Sequence, residues 1–133
     1  MVLTEAQGLP LALHIASASP HEVTLVDPLL APLPPSLRPN FLIADKAYDS
    51  DGLRLDLACT YRIRLVCPHR EKRKKAPIQD QRRLRRYRRR YKVERSIAWL
   101  QNFRRVVVRY EYHDFAFLGF LTLAACKILM RYL

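Results

Sequence analysis

The chain has 133 residues, half of them apolar, which is enough for one folded core and excludes a wholly disordered tail. Lysine and arginine number 24 against 12 acids, for a net charge of +12. The imbalance is unevenly placed: residues 1–60 hold three basic and seven acidic side chains, and residues 61–133 hold twenty-one and five. The C-terminal half is therefore expected to bind a polyanion, with an affinity that falls steeply as salt rises.

Residues 1–5, and then Leu9, Leu11, Leu13 and Ile15 in alternation with smaller or polar neighbours, repeat with a period of two. That period predicts a β-hairpin, with Gln7-Gly8 as its tight turn and Gly8 at positive φ. After Ser19-Pro20, residues 21–31 are expected to form a short helix with Glu22 in its first turn and Val23, Val26, Leu29 and Leu30 as its apolar stripe. The run FLIAD at 41–45 reads as a buried parallel strand that delivers Asp45 at its C-terminal end. Residues 50–59 are expected to be helical, N-capped by Ser50 or Asp49. IRLVC at 63–67 is a second strand, and 69–81 a solvated basic loop.

From about 82 to 108 the pattern predicts a helix, with Val93, Ile97 and Leu100 at i, i+4 and i+7 and Trp99 paired with Phe103. On it Glu94, Ala98 and Gln101 share one face, while Ile97 and Leu100 turn inward. The run FAFLGFLTLAACKILM at 115–130 is interrupted by Lys127 and falls short of the roughly 20 apolar residues a membrane span needs, so a buried helix is expected. Cys59, Cys67 and Cys126 lack the spacing of a disulfide framework or zinc site. With no export signal at the start, they are expected to be reduced thiols in a cytoplasmic protein without a membrane partner.

Two acids stand out by placement. Ligand sites in open α/β sheets form beyond the carboxyl ends of strands, which is where Asp45 falls. Glu94 is the one acid among eleven basic residues between 82 and 105. If a helix returning across the strand ends brought them together, their oxygens would suit Mg²⁺ and phosphoryl transfer. For Asp45 alone, turn capping is the alternative, and for Glu94 alone a helix-surface charge pair. The histidines are dispersed, and Tyr87, Tyr91 and Tyr110 are available to stack on bases or to pack among arginines.

ADKAYDSDGL at 44–53, then YRRRYKVERSIAWLQNFRRVVVRYE at 87–111 and a terminal apolar helix, resemble the C-terminal part of bacterial insertion-sequence DDE transposases. The family spacing Y-x2-R-x3-E-x6-K falls on Tyr87, Arg90 and Glu94, with Gln101 where the family has lysine. The resemblance implies that Asp45 and Glu94 are the second and third acids of a catalytic triad and bind Mg²⁺. It implies that Tyr87, Arg90, Gln101, Arg104 and Arg105 contact DNA. It also implies an α/β, ribonuclease H-like domain over residues 1–133, made of a hairpin, helix, strand, helix, strand and two C-terminal helices.

The family's first central strand and first acid lie ahead of the hairpin, so this chain is expected to lack both; Asp27, inside the expected helix 21–31, matches no triad position. The expected function is DNA cleavage and strand transfer in transposition, with the chain truncated and inactive alone. The expected partners are DNA at element ends and target, an N-terminal transposase fragment, and a further copy of the chain. The alternative is a non-catalytic basic DNA-binding protein or transposition inhibitor.

Overall fold

A computed structural model of the protein describes residues 1–71, 73, 76 and 81–132. The remaining positions of the expected basic loop 69–81 lie outside the described residues. The chain divides into two units, one formed by Met1–Pro20 with the chain from Tyr91 onward, the other by His21–Arg90.

In the first unit, β1 (Val2–Thr4) pairs antiparallel with β2 (Pro10–Leu13), setting Val2 opposite Leu13 and Leu3 opposite Ala12. The hairpin is as the alternation predicts, and Gly8 takes φ 92° in its turn. Glu5 closes the turn, its carboxylate accepting the N–H groups of Gln7 at 2.7 Å and Leu9 at 3.2 Å. Three helices complete this unit: α4 (Tyr91–Gln101), α5 (Arg104–Val107) and α6 (Asp114–Leu129). Its core is Leu100, Ala124, Ala125 and Ile128, with Val2, Leu9, Leu13, Trp99, Phe103 and Val106 packed around them.

In the second unit a 3-10 turn, Glu22–Leu25, runs into α1 (Val26–Leu30) and buries Val26, Leu29 and Leu30. The strand β3 (Phe41–Ile43) pairs in parallel with β4 (Arg64–Val66), Leu42 facing Leu65 and Ile43 facing Val66. Between them α2 (Asp51–Tyr61) buries Leu53 and Leu57, four residues apart on one face. Ser50 is the N-cap, its hydroxyl accepting the Leu53 N–H at 3.3 Å. The helix stops at Arg62, whose φ of 58° turns the chain straight into β4. After β4, α3 (Gln81–Leu84) and a 3-10 turn, Arg85–Arg90, lead to the end of this unit.

The long helix expected over 82–108 is broken in two places. The arginine run Arg85–Arg90 adopts 3-10 geometry in place of α-helix, which sets side chains three apart, such as Tyr87 and Arg90, on one side of the turn. Beyond Gln101 the chain turns at Phe103, and the β-branched run Val106-Val107-Val108 sustains only one turn of helix before Val108 is extended. The fold is thus mixed α/β, with more and shorter helical pieces than expected. The inward face of α4 also differs from expectation: Leu100 is buried, but Ile97 is 40% exposed and Ser96 is fully buried. Finally, α6 buries one stripe and not its whole circumference, since β2, α4 and α5 pack on a single side and leave Phe115 and Leu123 exposed. Among the described residues no helix is long and apolar enough to cross a membrane.

Candidate functional site

The ladder between β3 and β4 extends one step past Ile43, where the Ala44 N–H reaches Val66 O at 3.0 Å. Asp45 follows, at the carboxyl end of the strand. Its Oδ1 accepts the N–H of Lys46 at 2.6 Å and so caps the 3-10 turn Lys46–Tyr48. The capping alternative is therefore real, but it leaves Oδ2 for another partner. Arg90 sets Nη1 3.1 Å from that oxygen, and the Tyr87 hydroxyl lies 3.4 Å from Oδ1. Arg90 also donates to the Tyr87 hydroxyl at 3.0 Å. The spacing Tyr-x2-Arg has a geometric cause: side chains three apart eclipse in a 3-10 helix, so both reach the same carboxylate. Arg86 fixes the turn to the sheet by placing its guanidinium 3.9 Å from the centroid of Phe41, the first residue of β3.

Asp49, four residues on, is buried and holds the neighbouring chain in place. Its carboxylate binds Arg54 at 3.0 Å, Arg73 at 3.1 Å, His69 at 3.1 Å and the backbone N–H of Arg70 at 3.1 Å. Burial pushes this carboxyl up, yet the bonds from Arg54, the Arg70 N–H and His69, with the charge of Arg73, outweigh it and hold the group far below 3.8, the ordinary carboxylate value. Arg70 in turn donates to the carbonyls of Lys46 at 3.3 Å and Ala47 at 2.5 Å, and Lys46 pairs with Glu71 at 3.1 Å. His69, Arg70, Glu71 and Arg73 thus strap down the turn that begins at Asp45. Nearby, burial, then the charge of Glu22 and its hydrogen bond, push the Tyr48 phenol up to about 12, so it stays a neutral donor.

Sequence alone missed this arrangement, in which His69 is one of four histidines dispersed along the chain. The signal was present in the topology: parallel strands end at the same sheet edge, so KAYDS after β3 and the HREKR stretch after β4 have to be neighbours.

Glu94 belongs to the other unit, exposed in the first turn of α4, where a carboxylate suits the helix dipole. Ala98 and Gln101 are exposed with it, as the shared face predicts. Arg104 is exposed on α5. Arg105 is engaged within the fold, 2.9 Å from Glu111 and 5.4 Å from the ring centroids of both Tyr110 and Phe120. Lys92 and Arg95 grip the hairpin turn: Lys92 Nζ donates to Ala6 O at 2.5 Å, Arg95 to Gln7 O, and Ser96 Oγ to Gly8 O. Three successive carbonyls are satisfied by side chains at i, i+3 and i+4 of one helix face.

Mg²⁺ takes hard oxygen ligands. Asp45 is of that chemistry, and the guanidinium on its Oδ2 marks a place that accepts positive charge. Among the described residues no three His, Cys, Asp or Glu side chains are gathered as a complete metal cage would need.

A parallel strand ending in an acid, next to an arginine-rich segment that carries tyrosine, arginine and glutamate at fixed spacing, is an arrangement with known relatives. The chain belongs to the transposase DDE domain family, whose pattern matches residues 1–129. It is 34% identical over 135 residues to a Burkholderia cepacia protein bearing the name "Putative transposase for insertion sequence element IS402". That alignment covers 96% of this chain and 60% of the relative, so the chain spans about three fifths of the protein it matches. No solved structure matches it.

Proposed function

We propose that the chain is part of the ribonuclease H-like catalytic domain of an insertion-sequence transposase, which binds DNA, cleaves it and transfers strands. The observation that carries this is the convergence of Tyr87 and Arg90 on Asp45, because the same short motif supplies Glu94 four residues later. In this reading Asp45 and Glu94 hold Mg²⁺, which when bound stabilises charge on the attacked phosphate. Asp49, with His69, Arg70 and Arg73 bound to it, keeps the Asp45 turn in register. Tyr87 and Arg90 position a DNA strand, with Gln101 and Arg104 offered to it from α4 and α5. The exposed arginines of 85–89 supply backbone affinity.

These residues provide two acids where the chemistry uses three, so activity is expected to need a fragment that carries the first. Strand transfer on element-end DNA, with and without an added N-terminal transposase fragment, tests this. The reading predicts products only with the fragment, and their loss in Asp45→Ala and Glu94→Ala. If a transposase is inhibited equally by the parent chain and by both variants, the chain is a non-catalytic DNA binder.

A further inference from the structure

We propose that the hollow between the hairpin turn and α4 holds one unstacked nucleobase of a DNA strand against Trp99, with the adjoining phosphate on Lys92 and Arg95. The inference rests on the DNA-binding part of the proposed function and adds a site that lies within the first unit alone.

The hollow measures about 320 Å³, at the low end of the roughly 300–1,000 Å³ of small-ligand sites. One base fits such a space and a duplex does not. Its walls combine aromatic faces, from Trp99, Tyr91 and Tyr132, with the cations Lys92 and Arg95. Aromatic platforms beside fixed positive charge are what single strands bind, because each base has a π-face to stack and each linkage a phosphate to neutralise. In a duplex those faces are covered by neighbouring base pairs.

The parts are already in position. Trp99 packs against the core around Leu100, so the platform is rigid. Arg95 lies over its ring at 4.9 Å. Tyr132 leans on the indole with centroids 5.6 Å apart and planes at 37°, an open wedge and not a parallel stack. Tyr132 is 57% exposed and Tyr91 56% exposed, so Tyr132 can yield its place to a base, and Tyr91 can flank that base, without opening the core. Lys92 and Arg95 are held by the turn carbonyls of Ala6 and Gln7. An ammonium carries three donors and a guanidinium five, more than those two carbonyls use. Gln7, which also lines the hollow, carries an amide of the kind that pairs with a base edge.

Trp99 is the sole tryptophan, so its emission reports on the hollow directly. The intact chain is titrated with a short oligothymidylate, an abasic strand of equal length and a duplex, while fluorescence anisotropy of end-labelled copies reports binding independently. Saturable quenching of Trp99 by oligothymidylate, with none from the abasic strand or the duplex, is expected. Tyr91→Ala, folded by circular dichroism, is expected to weaken the oligothymidylate roughly tenfold while duplex affinity stays constant. Anisotropy that shows the strand bound while Trp99 emission is unchanged, or equal quenching by the abasic strand, overturns the base site and leaves DNA binding standing. An absence of binding for every DNA overturns both.

Discussion

Arg90 and Asp45 form an ion pair at 3.1 Å, with their side chains 35% and 41% exposed. A pair this open contributes little to stability, since water screens it and two side chains are immobilised to make it. Its value lies in position: it keeps a cation on the oxygen that the cap leaves over, on an acid at a strand end. Arg90→Ala is therefore expected to lower stability by about 0.5 kcal/mol while reducing complemented strand transfer on the order of 100-fold. Urea unfolding and the strand-transfer assay on the same preparation separate the two effects.

Asp49 is the opposite case, with its carboxylate buried between Arg54 and Arg73. Asp49→Ala leaves the largely buried Arg54 guanidinium without its counter-charge, while Arg73 keeps Asp51 at 2.7 Å, and is expected to destabilise the protein by about 3 kcal/mol. The sign of the pH dependence follows from the direction of the shift. The folded-state carboxyl titrates below its unfolded value of 3.8, so its contribution is fully present above about pH 4 and is lost as the pH falls further. Urea midpoints taken from neutral pH down to about pH 3 are expected to fall less for Asp49→Asn than for the parent chain.

The seat of the hairpin turn on α4 is tight. A Cβ on Gly8 would lie 3.0 Å from the Lys92 carbonyl oxygen, at a φ of +92°. Gly8→Ala is expected to destabilise by about 2 kcal/mol. Ser96→Ala, which removes a buried donor to Gly8 O, is expected to do so by a similar amount, about 2 kcal/mol. Because both act on one contact, the double variant is expected to lose less than the two single losses added together, which denaturation of all four proteins measures.

These examples indicate which parts of the molecule a sequence reveals. The hairpin is legible because period two and a glycine turn are local signals, and β3 because an apolar run stops abruptly at Asp45. Ser50 reads correctly as a cap for the same local reason. The inward face of α4 is not legible, since periodicity counts Ser96 as polar, whereas its hydroxyl is satisfied by Gly8 O and Lys92 O and is buried. Lys92 and Arg95 read as contacts for a polyanion, yet each is anchored to a turn more than eighty residues away in the chain. Asp49 reads as a helix cap because His69, Arg70 and Arg73 stand 20 to 24 residues distant; only the parallel pairing of β3 with β4 makes them neighbours.

The arginine turn offers a test of the DNA surface. Arg85, Arg88 and Arg89 are exposed, and each phosphate contact removed lowers the slope of log affinity against log salt by about 1. The double variant Arg88→Ala/Arg89→Ala is expected to reduce the slope for duplex DNA by about 2 and to weaken all sequences alike. Anisotropy titrations at several salt concentrations measure both.

The central claim is that Asp45 and Glu94 share one divalent ion, and a double-variant cycle on Mn²⁺ binding addresses it directly. Electron paramagnetic resonance would count bound Mn²⁺ for the DNA-bound chain, for Asp45→Ala, for Glu94→Ala and for both together. A shared ion predicts that either single change loses nearly as much affinity as the pair. Losses that simply add, or a Glu94→Ala chain that binds Mn²⁺ as the parent does, would contradict it.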